Sequence, residues 1–148
     1  MRGMNDELVE LATNLFREVP EAQHRTLLAM LERLAAEQYR RWAEEVGGKH
    51  ASGLLECAAR EEQVAQLLED ESTDSDEIAS AVAARAPELR AGYAALFQGR
   101  SLVEQFAIQA QGERAGGVLL RSYDKSDAAE LEDHNARYLD ELSRSLND

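Results

Sequence analysis

Two glutamates lie in the middle of apolar helical stripes, and they constrain the fold of this chain more than any other feature. Within residues 101–123, apolar residues recur every three or four positions, which is the spacing of a buried helix face. Glu113 occupies one position in this apolar stripe. A bare buried carboxylate is costly, so it is expected to find a metal, a cation or a proton. Glu61 has the same position in the stripe of Leu54, Ala58, Ala65 and Leu68.

Composition and charge restrict the class of protein. The chain has 148 residues, the length of about one domain, and its few prolines and many Ala, Leu, Glu and Arg residues are typical of a soluble all-helical protein. The formal net charge of -13 repels phosphate, so no nucleic acid and no anionic membrane surface is expected as a partner. The N-terminus resembles neither a signal peptide nor a membrane span, which predicts a cytoplasmic protein.

Capping residues, glycines and prolines predict where the helices begin and end. Asn5 or Asp6 is a candidate cap for the first helix, and Ser101 with Glu104 has the spacing of a capping box. Pro87 interrupts a helical pattern, which predicts either two short helices or one kinked helix there. The predicted helices cover about residues 5–19, 20–46, 50–70, 77–97, 101–123 and 126–146.

The order of these helices predicts an all-α four-helix bundle, formed by two antiparallel hairpins and a long helical crossover. The crossover begins with the polar, turn-forming residues 71–76. The predicted single domain, residues 1–148, consists of an accessory N-terminal helix (1–19), a first hairpin (20–70), the crossover (71–100) and a second hairpin (101–146).

Counting along the helices from the hairpin turns predicts what lies beside the two acids. Glu61 is expected near Gln38, which faces inward, with Glu37 on the flank of the same helix. Glu113 is expected within about one turn of His134, Asn135 and Tyr138 across the second hairpin. Both acids are thus near mid-helix, where a bundle is driest.

This arrangement resembles the ferritin-like superfamily, which includes rubrerythrins and other carboxylate-bridged di-metal proteins. The segment CAAREEQVAQLLE, residues 57–69, resembles the second helix of that family, and AELEDHNARYLDEL, residues 129–142, resembles its last. In the family one helix of each hairpin supplies a Glu and the other supplies Glu-x-x-His. The resemblance therefore implies a site for iron or manganese.

About half of this metal motif is present. The resemblance assigns ligand positions to Glu113, His134 and either Glu61 or Glu62, with Glu37 or Gln38 on the first long helix. The other positions differ, because Leu131 stands three residues before His134, and Val64 and Ala65 stand where the first hairpin would carry its histidine. A single metal held by Glu61, Glu113 and His134 is one outcome of this pattern.

A structural role for the same residues is the alternative. Glu61 would then pair with Arg41, and Glu113 with Arg121 or a tyrosine hydroxyl, in a buried network that orders the core. His134 would be a hydrogen-bonded residue at the edge of the core. The function that accompanies this alternative is an acidic helical protein-protein interaction module, which docks a basic protein partner through its charged faces.

Small residues near the acids leave two interpretations open. A glycine inside a helix costs about 1 kcal/mol relative to alanine, so Gly116 and Gly117 indicate either a close approach of two helices or a space beside Glu113. Such a space would suit a metal or a cationic or apolar small molecule. Its predicted lining consists of Ala58, Ala65, Ala110, Gly117, Trp42 and Tyr138.

The sequence assigns no reaction, since it contains no recognisable nucleophile-base pair, phosphate loop or nucleotide fingerprint. The lone Cys57 fits either a small buried hydrophobe or a catalytic thiol. The first helix is more apolar than a surface helix needs to be. We therefore expect it to cover either the open side of its own bundle or a seam between bundles, and we expect a homodimer.

Overall fold

The computed structural model describes residues 7–70 and 76–147, and these residues form helices and no strand. The predicted all-α class is therefore confirmed over the described part of the chain. None of the described helices combines the length and the apolar character that are needed to cross a lipid bilayer. The seven α-helices of the described residues are α1 (Glu7–Glu18), α2 (His24–Val46), α3 (Gly48–Asp70), α4 (Asp76–Ala83), α5 (Ala86–Phe97), α6 (Leu102–Ser122) and α7 (Ser126–Asn147).

Two consecutive glycines with positive φ, Gly47 and Gly48, form the boundary between α2 and α3. Gly47 has a φ of 62°, in the left-handed region, and its N–H donates to the carbonyl of Ala43 at 3.0 Å, which ends α2. The third helix begins at once with Gly48, two residues earlier than predicted. At its other end α2 begins later than predicted, because Glu21–Gln23 form a separate 3-10 turn.

The crossover contains two short helices, which decides between the alternatives that Pro87 left open. A turn at residues 84–85 separates α4 from α5. Pro87 lies in the first turn of α5, where the missing N–H is not needed and the fixed φ suits a helix start. The predicted caps Asn5 and Asp6 and residues 71–75 of the predicted linker lie outside the described residues.

The chain divides into two compact units, and each is described by itself. Thr13–Tyr93 form the unit that we call the α2–α3 unit. The described residues of Met1–Ala12, together with those of Ala94–Asp148, form the α6–α7 unit.

In the α2–α3 unit, helices α2 and α3 pack along each other as an antiparallel hairpin, as predicted. The predicted stripe of α3 is buried along its whole length. An apolar cluster joins the end of α1 to the hairpin and to the crossover helices α4 and α5. The later part of α1 therefore packs within its own chain. This cluster consists of Leu15, Val19, Leu27, Leu34, Val82 and Leu89.

In the α6–α7 unit, α6 and α7 form the second antiparallel hairpin. Ser101 caps α6 through its hydroxyl oxygen, which accepts a hydrogen bond from the N–H of Glu104 at 3.2 Å, so the predicted cap is confirmed. The start of α1 also belongs to this unit. Arg100 donates to Glu7 at 2.8 Å, and Leu8 lies against α6 at Gly112.

Candidate metal centre

Glu32 of α2 and Glu61 of α3 bring two carboxylates together in the α2–α3 unit. The side chains are 7% and 1% exposed, and they offer carboxylate oxygens within 4.8 Å of each other. Two ionised carboxylates at this distance repel each other strongly when little water is present, and a shared proton or a bound cation removes the repulsion. The pair is therefore suited to binding a divalent cation or to holding one proton between its members.

Glu61 and Glu62 are neighbours in sequence but have different surroundings. Glu62 is 31% exposed at its side chain and pairs with Arg33 and, at 3.0 Å, with Arg40 on α2. These arginines hold the Glu62 carboxylate at the surface of the hairpin. The sequence left Glu61 and Glu62 as equal candidates for one ligand position, and the structure buries only Glu61.

Gln38 and Glu37, the two predicted metal ligands on α2, also differ in their surroundings. Gln38 is buried, as predicted, and its side-chain oxygen accepts a hydrogen bond from Arg41 at 2.7 Å. Glu37 is half-buried, and it pairs with Arg90 of α5 at 3.1 Å. The metal-binding role of these residues stays a prediction. Their observed contacts connect Gln38 to its own helix and Glu37 to the crossover.

Among the described residues of the α6–α7 unit, Glu113 and Glu132 are the buried acids. The side-chain amide of Gln109 donates a hydrogen bond to Glu113 Oε1 at 3.0 Å, one helical turn away on α6. This hydrogen bond limits the rotation of the Glu113 side chain. Asn135, also buried, lies one turn after Glu132 on α7. The burial that was predicted for Glu113 is confirmed.

On α7 the buried polar positions are held by Glu132 and Asn135, while His134 is exposed and Leu131 is half-buried. The predicted ligand role of His134 stays a prediction. Arg121, an alternative partner for Glu113 in the sequence, forms its ion pairs with Glu130 and Asp133.

Sequence reasoning missed Glu32 and Glu132. Each belongs to a stripe with the same spacing of three or four residues that revealed Glu61 and Glu113, so the signal was present. On α2 the buried stripe is Leu28, Glu32, Ala35 and Tyr39. On α7 it is Ala129, Glu132, Ala136 and Leu139.

The residues of the predicted pocket are divided between the two units. Ala58, Ala65 and Trp42 are buried in the α2–α3 unit, where the Trp42 ring packs edge-on against Tyr39 at a centroid distance of 5.4 Å. In the α6–α7 unit, Ala110 and Gly117 are buried and Tyr138 is half-buried. Their role as a pocket stays a prediction.

The two consecutive glycines of α6 have different neighbours. A Cβ at Gly117 would lie 2.9 Å from Asp133 Oδ1 and 3.6 Å from the carbonyl oxygen of Ala129, both on α7. At Gly116 the nearest atoms, those of the Glu132 carboxylate, would be in ordinary contact at 3.6 Å. The close approach of two helices, one of the two interpretations of these glycines, therefore holds at Gly117.

The buried glutamates Glu32 and Glu61 of the α2–α3 unit form an acidic pair that could bind a metal. Carboxylate oxygens are ligands for hard and borderline divalent cations. Comparisons of the chain with protein-family models, with curated proteins and with solved structures gave no match.

Proposed function

We propose that this protein binds a divalent metal ion, with the buried glutamates Glu32 and Glu61 of the α2–α3 unit as ligands. The observation that carries the proposal is the Glu32–Glu61 pair, whose carboxylate oxygens lie within 4.8 Å of each other although both residues are buried. A cation between two such groups converts their repulsion into coordination and compensates for the cost of removing each charge from water.

The pattern of burial along the chain supports the same proposal. Each of the four long helices carries one buried glutamate: Glu32 on α2, Glu61 on α3, Glu113 on α6 and Glu132 on α7. Acids are among the residues least often fully buried. A buried glutamate on each long helix therefore requires a hydrogen-bond donor or a cation that compensates for its lost hydration. The ferritin-like four-helix bundle is the arrangement we propose for the hairpins, because that family also places an inward glutamate on each of its four helices.

The cellular setting is a further part of the proposal. We also propose that the protein works in the cytoplasm, forms a homodimer and docks a basic protein partner, which its net charge of -13 would attract.

Metal titration of the purified full-length chain tests the proposed function. Protein treated with a chelator and dialysed is titrated with Mn²⁺ in a calorimeter, and the free ion is followed in parallel by electron paramagnetic resonance. We expect saturable binding by the wild type. Glu32→Gln and Glu61→Gln should each weaken it by at least about tenfold, because a neutral amide is a far poorer ligand than a carboxylate.

Glu56→Gln is the matched control, since Glu56 lies on α3 but is exposed. It should bind Mn²⁺ as the wild type does. Circular dichroism confirms that each variant remains folded. A wild-type protein that takes up no metal, or a folded Glu61→Gln variant with unchanged affinity, would overturn the proposal.

A further inference from the structure

The outer face of α3 carries an uncharged stripe on an otherwise highly charged protein. Charged residues make up 30% of the chain, and its formal net charge is -13. Residues three or four positions apart on a helix lie on the same face. On the outer face of α3 such residues are exposed and uncharged over about four turns. This stripe consists of Ser52, Leu55, Ala59, Gln63 and Gln66.

Leu55 is the large apolar residue of this stripe, and 49% of its surface is exposed. Single exposed leucines are common on protein surfaces, so Leu55 alone does not indicate a partner. The lack of charge around it is more informative, because depletion of charged residues characterises the core of a protein interface. The stripe therefore has the composition of a surface that another protein covers.

One edge of the stripe carries a pair of opposite charges. Glu56 is exposed and Arg60 is half-buried, and they lie one turn apart on the same edge. Arg60 donates a hydrogen bond to Cys57 Sγ at 3.3 Å, which directs its guanidinium back toward the start of α3. If a second α3 runs in the opposite direction, its Arg60 faces Glu56 and its Glu56 faces Arg60. The edge is thus complementary to itself, which a two-fold symmetric contact requires.

The outer face of α6 lacks this self-complementarity. Val118 is 70% exposed, more than Leu55. Its neighbours on that face, Arg114 four residues before it and Arg121 three residues after it, are both exposed bases. Two copies that met at this face would bring arginines together, although each arginine pairs with an aspartate of its own α7. The charges therefore favour a second copy at α3 and not at α6.

We infer that the outer face of α3 is the homodimer interface, where the α3 helices of two copies pack antiparallel. Leu55 of each copy lies against Ala59 of the other, whose small side chain allows the helices to approach closely. Glu56 of each copy pairs with Arg60 of the other. This inference rests on the homodimer of the proposed function. One pair of helices is a small interface beside the about 1,200 Å² of a stable complex, so the dimer is weak and reversible.

Sedimentation equilibrium of the full-length chain, from about 10 µM to about 1 mM, tests the inference. We expect the wild type to pass from monomer to dimer in this range. Leu55→Glu should weaken association at least about tenfold, because it places an acid of each copy in the uncharged contact. Val118→Glu is the matched control, with the same change of charge at a more exposed residue, and should associate as the wild type does. Circular dichroism confirms that both variants are folded.

The charged edge provides a second, independent measurement. Glu56→Arg and Arg60→Glu should each weaken self-association, because each variant brings like charges together across the two-fold axis. An equimolar mixture of the two variants should associate again, since each copy then supplies the charge that the other lacks. A role for Arg60 within its own helix alone would not produce recovery on mixing.

The outcomes separate the interface from the rest of the proposal. A dimer that Leu55→Glu leaves intact, or a mixture of the charge variants that does not recover, would overturn the α3 interface while the homodimer stands. A wild type that stays monomeric throughout would overturn the interface and the homodimer together. The Mn²⁺ titration, made on Glu32→Gln and Glu61→Gln, decides metal binding separately.

Discussion

Leu8 of α1 lies so close to Gly112 of α6 that a Cβ at position 112 would overlap the Leu8 side chain, with the Leu8 Cγ at 3.0 Å. Gly112→Ala should therefore lower the free energy of unfolding by about 1 kcal/mol, because the displaced leucine loses more burial than the helix gains from alanine. In a protein that already carries Leu8→Ala, Gly112→Ala should instead raise the free energy of unfolding by about 1 kcal/mol. Urea unfolding of the wild type, the two single variants and the double variant measures this change of sign. Equal effects in both backgrounds would contradict the contact.

The consecutive glycines Gly116 and Gly117 provide a matched pair of variants. Gly116→Ala should stabilise the protein by about 0.5 to 1 kcal/mol, since its methyl group would meet the Glu132 carboxylate at an ordinary distance. Gly117→Ala should destabilise it, because its methyl group would press on Asp133, which pairs with Arg121 at 2.5 Å. Thermal unfolding of the two variants gives the comparison. Shifts of the same sign would show that α6 and α7 do not approach closely at Gly117.

Arg33 connects α2 to α3 by pairing with Glu62 and Glu69. The hydrogen bond that the Arg33 guanidinium donates to the Glu69 carboxylate is the main reason that the pKa of Arg33 is raised above its ordinary value. A base with a raised pKa stabilises the fold at every pH below its unfolded value, and this contribution is lost only as pH rises through the folded value. For an arginine that range lies far above neutral pH.

Arg33→Ala should therefore lower the free energy of unfolding by the same amount at every pH from about 6 to 9. The Arg33 side chain is 40% exposed, so the loss should be below about 1 kcal/mol and should shrink as salt is added. Urea unfolding at two salt concentrations measures both effects. Arg137→Ala, an exposed position on α7, is the control. A loss that does not depend on salt would indicate a packing role for the Arg33 stem.

His24 closes the end of α1 by bonding to the carbonyl oxygens of Phe16 and Val19, and its ring packs edge-on against Phe16 at a centroid distance of 5.0 Å. Carbonyl oxygens only accept, so Nε2 carries a hydrogen in both the neutral and the charged ring. His24→Ala should lower the free energy of unfolding by about 1 kcal/mol. Hydrogen exchange of the α1 amides measures the local effect, and unchanged protection would contradict it.

Local signals in the sequence determined most of the helical architecture. Ser101 and Glu104 predicted the start of α6, because a cap depends on residues three positions apart. The apolar spacing predicted the burial of Glu61 and Glu113, since a helix alone decides which residues share a face. These features need no knowledge of the rest of the fold, so they could be read in advance.

Pro87 shows where local information became insufficient. Its chemistry required an interruption of the helix, but one kinked helix and two short helices satisfy that requirement equally well. The choice depends on how Val82 and Leu89 pack in the same apolar cluster, one on α4 and the other on α5. Packing between helices is not encoded in the spacing along any one of them.

The sequence by itself determined that this protein is helical and that Glu61 lies on an apolar face. Only the tertiary structure separated Glu61 from Glu62, brought Glu32 to within 4.8 Å of Glu61 and left His134 exposed. The physical reason is that burial and distance between helices depend on the rotation and height of each helix against its neighbour. A shift of one residue turns a helix by about 100°, so a small error in register exchanges a buried ligand for an exposed one.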